Sequence, residues 1–243
     1  MSKGVYVALS GAVAQEQALE ATATNVANAS SAGYQRLRPV FRQALAKAEK
    51  SDPQLQYART SRTALDTTVG ALRVTENPLD VALPKGVYLA AITPRGERYT
   101  RAGNLAMSSD GTIQTAGGTP VSSDAGAPLK VAPGGGQVRI QPDGSVMQGA
   151  QTIGKLKLVS FETPDALQPE GSSLLAVGSA GASTPATEPI TVGAVEDSNA
   201  QPVTAMTEMM QASRTFEAFQ KVLDQFGEID RKLLTTVPMA VEG

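Results

Sequence analysis

Residues 202–237 read PVTAMTEMMQASRTFEAFQKVLDQFGEIDRKLLTTV, and this stretch decides the fold. Met209, Ala212, Phe216, Phe219, Leu223, Phe226, Leu233 and Val237 return at three- and four-residue steps. Asp230 interrupts the stripe, with Ile229 beside it. Pro202 suits a first helical turn, where its missing N–H is not needed, and Ser198 and Asn199 stand ahead of it as capping residues. The spacing predicts a helix over residues 203–236, a rod of ~50 Å at 1.5 Å per residue, with a heptad seam along one side. A buried Phe or Leu contributes ~1.5–3 kcal/mol only when something covers it. A lone helix of this kind is marginal in water. The seam therefore demands a partner.

Working outward, the other breaker-poor stretch is the opposite end, from about Lys3 to Asn28. Leu9, Val13, Leu19, Ala23 and Val26 fall along one side of a helix there. The stripe is thin and Ala-rich, Gly11 weakens it locally, and Ser30-Ser31-Ala32-Gly33 ends it. It is the obvious partner for the C-terminal seam.

All but two of the 15 prolines and all but five of the 23 glycines lie between Pro39 and Gly193. This interior reads as β. Val138-Arg139-Ile140, Pro142-Asp143-Gly144 and Val146 predict a hairpin about an Asp-Gly turn. Asp110-Gly111 marks a second turn. Leu156 and Leu158 alternate with Lys155 and Lys157, the period of a strand with one wet face. The expected fold is α+β: long N- and C-terminal helices packed as a coiled-coil-like pair, with an inserted, mainly antiparallel β domain. The corresponding parts are 1–34, the N-terminal helix and its closing turn; 35–71, a connector; 72–197, the β domain; and 198–243, the C-terminal helix.

Composition narrows the chemistry. The chain of 243 residues has no Cys and no His. It therefore has no disulfide, no zinc site of the usual kinds and no imidazole base for a nucleophile. A formal net charge of −2 gives no case for nucleic acid. No apolar run approaches the ~18 residues of a membrane span, and Gln15, Glu16, Gln17 and Glu20 interrupt any secretory h-region. Residues 149–155 match the first seven positions of a phosphate-binding loop, but Leu156 stands where a Ser or Thr must hold magnesium, and the following residues read as strand. Glu196-Asp197 and Glu76/Asp80 read as surface carboxylates rather than a catalytic pair. Met206, Met209 and Met210 read as adaptable packing. Arg214, Glu217 and Lys221 read as a charged helix face, with Glu217 and Lys221 in the favourable order. No catalytic, cofactor or metal site emerges.

The ends and the interior carry motifs that resemble the bacterial flagellar rod and hook proteins. Residues 22–34, Thr-Ala-Thr-Asn-Val-Ala-Asn-Ala-Ser-Ser-Ala-Gly-Tyr, are similar to that family's Asn-Asn-Leu-Ala-Asn run and Gly-Phe turn. They keep Asn25, Ala27, Asn28 and Gly33, with Thr24, Val26 and Tyr34 as departures. Residues 77–83 resemble the segment entering the β domain. Tyr99-Thr100-Arg101-Ala102-Gly103 resembles the family's Tyr-Thr-Arg-x-Gly motif, and Met209 to Glu217 resembles its Met-Ile-x-x-x-Arg-x-Tyr/Phe-Glu helix, with Arg214 and Glu217 in place. Ser198-Asn199 replaces the usual Asn-Val-Asn.

The resemblance covers essentially the whole chain. It implies a structural, non-enzymatic subunit of the basal-body rod in the periplasmic space. Size and the opening Gly4-to-Ala12 favour the proximal-rod branch, with the distal-rod branch as the alternative. It implies export through the flagellar type III apparatus without a cleaved signal peptide. Its implied partners are copies of itself and other rod proteins, with no nucleic acid, small-molecule substrate or membrane insertion. The terminal helices would form the polymer core and assemble through Leu9, Val13, Leu19, Val26, Met209, Phe216, Phe219, Leu223, Phe226 and Leu233, with the β domain as the outer layer of a shaft that transmits torque. From another class, a secreted β-domain adhesin with helical ends is the remaining reading, ahead of an enzyme working through carboxylates.

Overall fold

The computed structural model describes residues 3–45, 56–132, 134–171 and 173–236. Val237 lies outside them. Two long helices bracket the chain: α1 spans Lys3–Ala27 and α2 spans Pro202–Thr236. The end of α1 and the start of α2 fall within a residue of the positions expected from sequence, with Pro202 as the first residue of α2. Between the helices, every strand pair described with its register is antiparallel.

The chain divides into two compact units, one made of residues 1–24, 38–63 and 203–243, the other of residues 25–37 and 64–202. In the first, α1 and α2 meet through glycines. A Cβ placed on Gly11 would lie 2.6 Å from the Phe219 ring, and one on Gly4 would lie 3.0 Å from the Phe226 ring. Ala8, Ala12, Ala14, Ala18 and Ala21 are buried on α1, while Tyr6, Leu9 and Val13 are about half exposed. Gly4 and Gly11, rather than Leu9 and Val13, thus lie under the seam of α2. On α2, Ala212 is buried, and Met209, Phe216, Phe219, Leu223 and Phe226 are partly buried. The side chain of Leu233 lies outside the described residues. This unit also contains most of two paired strands, Leu37–Leu45 and Gln56–Leu65. They occupy the stretch 35–71 that composition marks only as a connector, since Arg, Gln and Ser within it hide any two-residue alternation.

The second unit is built on a six-stranded sheet with the order 168–170, 174–176, 96–100, 87–93, 158–160, 184–185. A three-stranded sheet (151–155, 145–148, 138–140) carries the expected hairpin. Ile140 pairs with Val146 across a turn in which Gly144 has φ +84°. The Asp110-Gly111 turn joins strands 105–107 and 113–115 in the same way, with Gly111 at φ +82°. Val81, Leu89, Ile113, Val121, Val146 and Leu156 form the centre of the core, each at most 1% exposed. Residues 151–155 are the third strand of the small sheet and not the opening of a helix. The phosphate-loop pattern is thus a coincidence of spacing.

Candidate functional site

Of the motif residues, Asn25, Gly33, Tyr34, Arg101 and Gly103 lie close together in the second unit. Asn25, in the last turn of α1, is completely buried. Its Oδ1 accepts from the Tyr34 hydroxyl at 3.0 Å and the Leu37 N–H at 2.8 Å, and its Nδ2 donates to the Leu37 carbonyl at 2.9 Å. A fully buried amide needs such partners, since each unsatisfied group costs about 1–3 kcal/mol. Asn25 therefore acts as a backbone-like bridge that turns the chain after the helix. Asn28 accepts from the hydroxyl and N–H of Ser31, and Ala27 is exposed.

Gly33 is one of the points where backbone approaches backbone closely. It has φ +65°, and its N–H donates to the Glu196 carbonyl at 2.7 Å. A Cβ there would fall 2.2 Å from the backbone carbon of Arg101. Gly103 is pressed in the same manner onto Val81, and Gly70 onto Asp197. These three glycines let five separate stretches of backbone meet without intervening side chains.

Between those stretches lies the ion pair of Arg101 and Glu196, with side chains 1% and 2% exposed. All five N–H donors of the guanidinium have acceptors. Nε and Nη2 donate to Glu196 Oε2, Nη1 donates to the carbonyls of Pro84 (2.9 Å) and Val87 (2.7 Å), and Nη2 also donates to the carbonyl of Leu83 (2.9 Å). The second carboxylate oxygen, Oε1, accepts from Gly70 N–H at 2.9 Å. Arg101 also sits 5.8 Å from the centre of the Tyr88 ring. Tyr88 in turn donates to Gln35 Oε1 and meets Phe161 edge-on, as does Tyr99. Glu196 is therefore no surface carboxylate. Sequence could not reveal this, because its partner is in a distant segment. Asp80, grouped with it from sequence, is also buried and holds the hydroxyl of Thr75 and the amide of Asn77.

Asn199 completes the assembly. Its Oδ1 accepts from Arg36 N–H at 2.6 Å, and its Nδ2 donates to the carbonyls of Asp66 and Thr68, both at 2.8 Å. The side chain of Asn199 thus ties strands of loop together, while Ser198 Oγ accepts from Ala200 N–H just ahead of α2. Burial raises the Tyr34 phenol to about 12, and raises those of Tyr88 and Tyr99 from their ordinary value. The side-chain polar groups of Asn25, Arg101, Glu196 and Asn199 all have internal partners. The chemistry of this constellation is to clamp, by holding the end of α1 and the approach to α2 on the β sheets.

Elsewhere, an open groove of about 460 Å³ is lined by Met107, Asp110, Gly111, Val131, Val138 and Gln148, among others. Asp110 is its one titratable lining residue among the described residues, held below the usual carboxylate range by the hydroxyl and N–H of Thr112. On α2, Arg214 and Glu217 are exposed, as are Met206 and Met210.

Three family models match segments that include Asn25, Gly33, Arg101, Gly103, Glu196 and Asn199. They are the flagella basal body rod protein over residues 5–35, the flagellar hook protein FlgE/F/G D1 domain over 86–148, and the flagellar basal body rod FlgEFG protein C-terminal over 191–236. The flagellar basal-body rod protein FlgF of Mesorhizobium japonicum is 31% identical, over 98% of each chain. FlgF of Salmonella typhimurium is 31% identical, over 94% of this chain and 95% of its own. FlgG of Bacillus subtilis is 26% identical, over 96% of this chain and 98% of its own. With likeness of this extent, the chain belongs to the flagellar basal-body rod protein family and resembles its FlgF members along nearly its whole length.

Proposed function

We propose that the protein is a structural subunit of the flagellar basal-body rod, of the proximal, FlgF type, located in the periplasmic part of the basal body. The single observation that supports this most, beside the full-length likeness to FlgF, is the apolar surface left on the terminal helices. Tyr6, Leu9 and Val13 on α1 and Val203, Met206, Met210, Val222 and Ile229 on α2 are all exposed. Exposed apolar side chains aligned along helices favour association with further helices.

In this reading the subunit reaches the rod through the flagellar type III export apparatus without a cleaved signal peptide. The two ends, 1–34 and 198–243, pair in coiled-coil fashion in the polymer core, and residues 72–197 form the outer wall. Leu9, Val13, Leu19 and Val26, with Met209, Phe216, Phe219, Leu223, Phe226 and Leu233, supply the helix contacts within and between subunits. Ordering of the ends is coupled to docking, because neighbouring helices then offset the entropy of fixing them. Heterologous contacts of this kind do not close on themselves and so extend a tube. The assembled shaft transmits torque, with the β domain stiffening its wall.

The full-length likeness to FlgG supports a second reading, a subunit of the distal rod. Imaging of basal bodies from a strain lacking the gene separates the two. A rod that stops at its base places the subunit proximally, and one that stops further out places it distally. Intact basal bodies with normal hooks would overturn both and favour a secreted adhesin.

A further inference from the structure

The geometry points to Gly4 and Gly11 as notches that fix which helix face pairs with α2, and in which register. Phe219 sits over Gly11 and Phe226 over Gly4. Seven residues forward on α1 thus correspond to seven residues back on α2, so the helices run antiparallel in one register. The fit is by size: glycine on α1 receives a ring from α2, and the neighbouring inward positions Ala14, Ala18 and Ala21 are small and buried.

A slip of one heptad breaks this match. Moving Phe226 onto Gly11 carries Phe219 onto the methyl of Ala18. Moving Phe219 onto Gly4 sets Ala212 against Gly11, so that no ring fills that notch. Two α2 seams facing each other have rings but no notches. On the reading of the protein as a rod subunit, identical helices lie side by side, and this size code lets each α1 choose an α2 rather than another α1. The register within one chain does not depend on that reading.

Gly227 shows that the notches are specific to their place. It lies on α2 with nothing within 4 Å of a Cβ. Leucine is a far better helix former than glycine. Propensity alone therefore predicts that leucine helps at all three glycines.

The test restores variants to a strain lacking the gene and scores rod completion and swimming, with cellular level and export of each variant measured alongside. Gly11→Leu is expected to fall to the level of the null strain, whereas Gly227→Leu stays at wild type. Phe219→Ala added to Gly11→Leu restores rods, and Phe226→Ala added to Gly11→Leu does not. Gly4→Leu shows the reverse pattern, rescued by Phe226→Ala. Full function of Gly11→Leu, or equal rescue by the cognate and non-cognate alanines, overturns the register. Either result leaves the rod function itself standing, which falls only if the null strain builds normal rods.

Discussion

Arg101 and Glu196, ninety-five residues apart in the chain, form an ion pair whose side chains are almost completely removed from water. Such a pair is costly to bury and costly to break. Removing one partner strands the other charge, at about 3–5 kcal/mol. Glu196→Leu is therefore expected to lower unfolding stability by about that amount, measured as a shift of the urea midpoint. The variant combining Glu196→Leu with Arg101→Met should lose less than the two single variants added together, because no charge is then left alone. Simple additivity would show that the two groups do not act as a pair.

The approach of Gly33 to Arg101 gives a graded comparison. Gly86 has φ +77° with open space around it, and Gly33 has φ +65° with backbone 2.2 Å from a would-be Cβ. Gly86→Ala should cost only the conformational strain, about 1–2 kcal/mol. Gly33→Ala must also move the backbone of residues 101–102, and should cost clearly more. Equal unfolding midpoints for the two variants would mean that the segment after α1 is not pressed against the motif strand.

Tyr34 introduces a dependence on pH. Its phenol titrates at about 12 in the folded chain, against 10.0 ordinarily. Below pH 10 both states keep the proton and this group has no effect. Between 10 and 12 the unfolded chain loses the proton while the folded chain holds it, so the unfolded state binds fewer protons and stability falls as pH rises. Tyr34→Phe should soften that alkaline decline, leaving the part due to Tyr88 and Tyr99. It should also cost about 1 kcal/mol at neutral pH through the lost hydrogen bond to Asn25. A decline of unchanged steepness in Tyr34→Phe would contradict the assignment.

These relationships show what the sequence discloses and what it hides. Phe216, Phe219, Leu223 and Phe226 announce the α2 seam because they are large and periodic. The inward face of α1 is nearly silent, since Gly4, Gly11, Ala14 and Ala18 carry little hydrophobic signal, and the larger Leu9 and Val13 draw attention to the opposite side. The two hairpins about Asp110-Gly111 and Asp143-Gly144 are legible because turn chemistry is local. Asn25, Gly33, Arg101 and Gly103 are visible as a motif, but their meeting place is not. It depends on Glu196, Gly70 and Asn199, which long-range topology alone brings there.

Leu9 and Val13 are 48% and 45% exposed. Replacing both with Ser should leave the stability of the isolated chain within about 0.5 kcal/mol per site, while reducing rod assembly in the restored null strain. Normal rods from this variant would remove these side chains from the contacts between subunits.

The central claim is that a preformed clamp presents terminal helices that become fixed only on assembly. Hydrogen exchange on the purified full chain and on isolated rods, compared amide by amide, tests it most directly. The account predicts that Gly33, Leu37 and Asp197 exchange slowly in both, because their N–H groups are held within the clamp. Amides of α1 before Asn25 and of α2 should exchange fast in the free chain and slowly in the rod. Helices already protected in the free chain, or clamp amides that gain protection only in the rod, would contradict it.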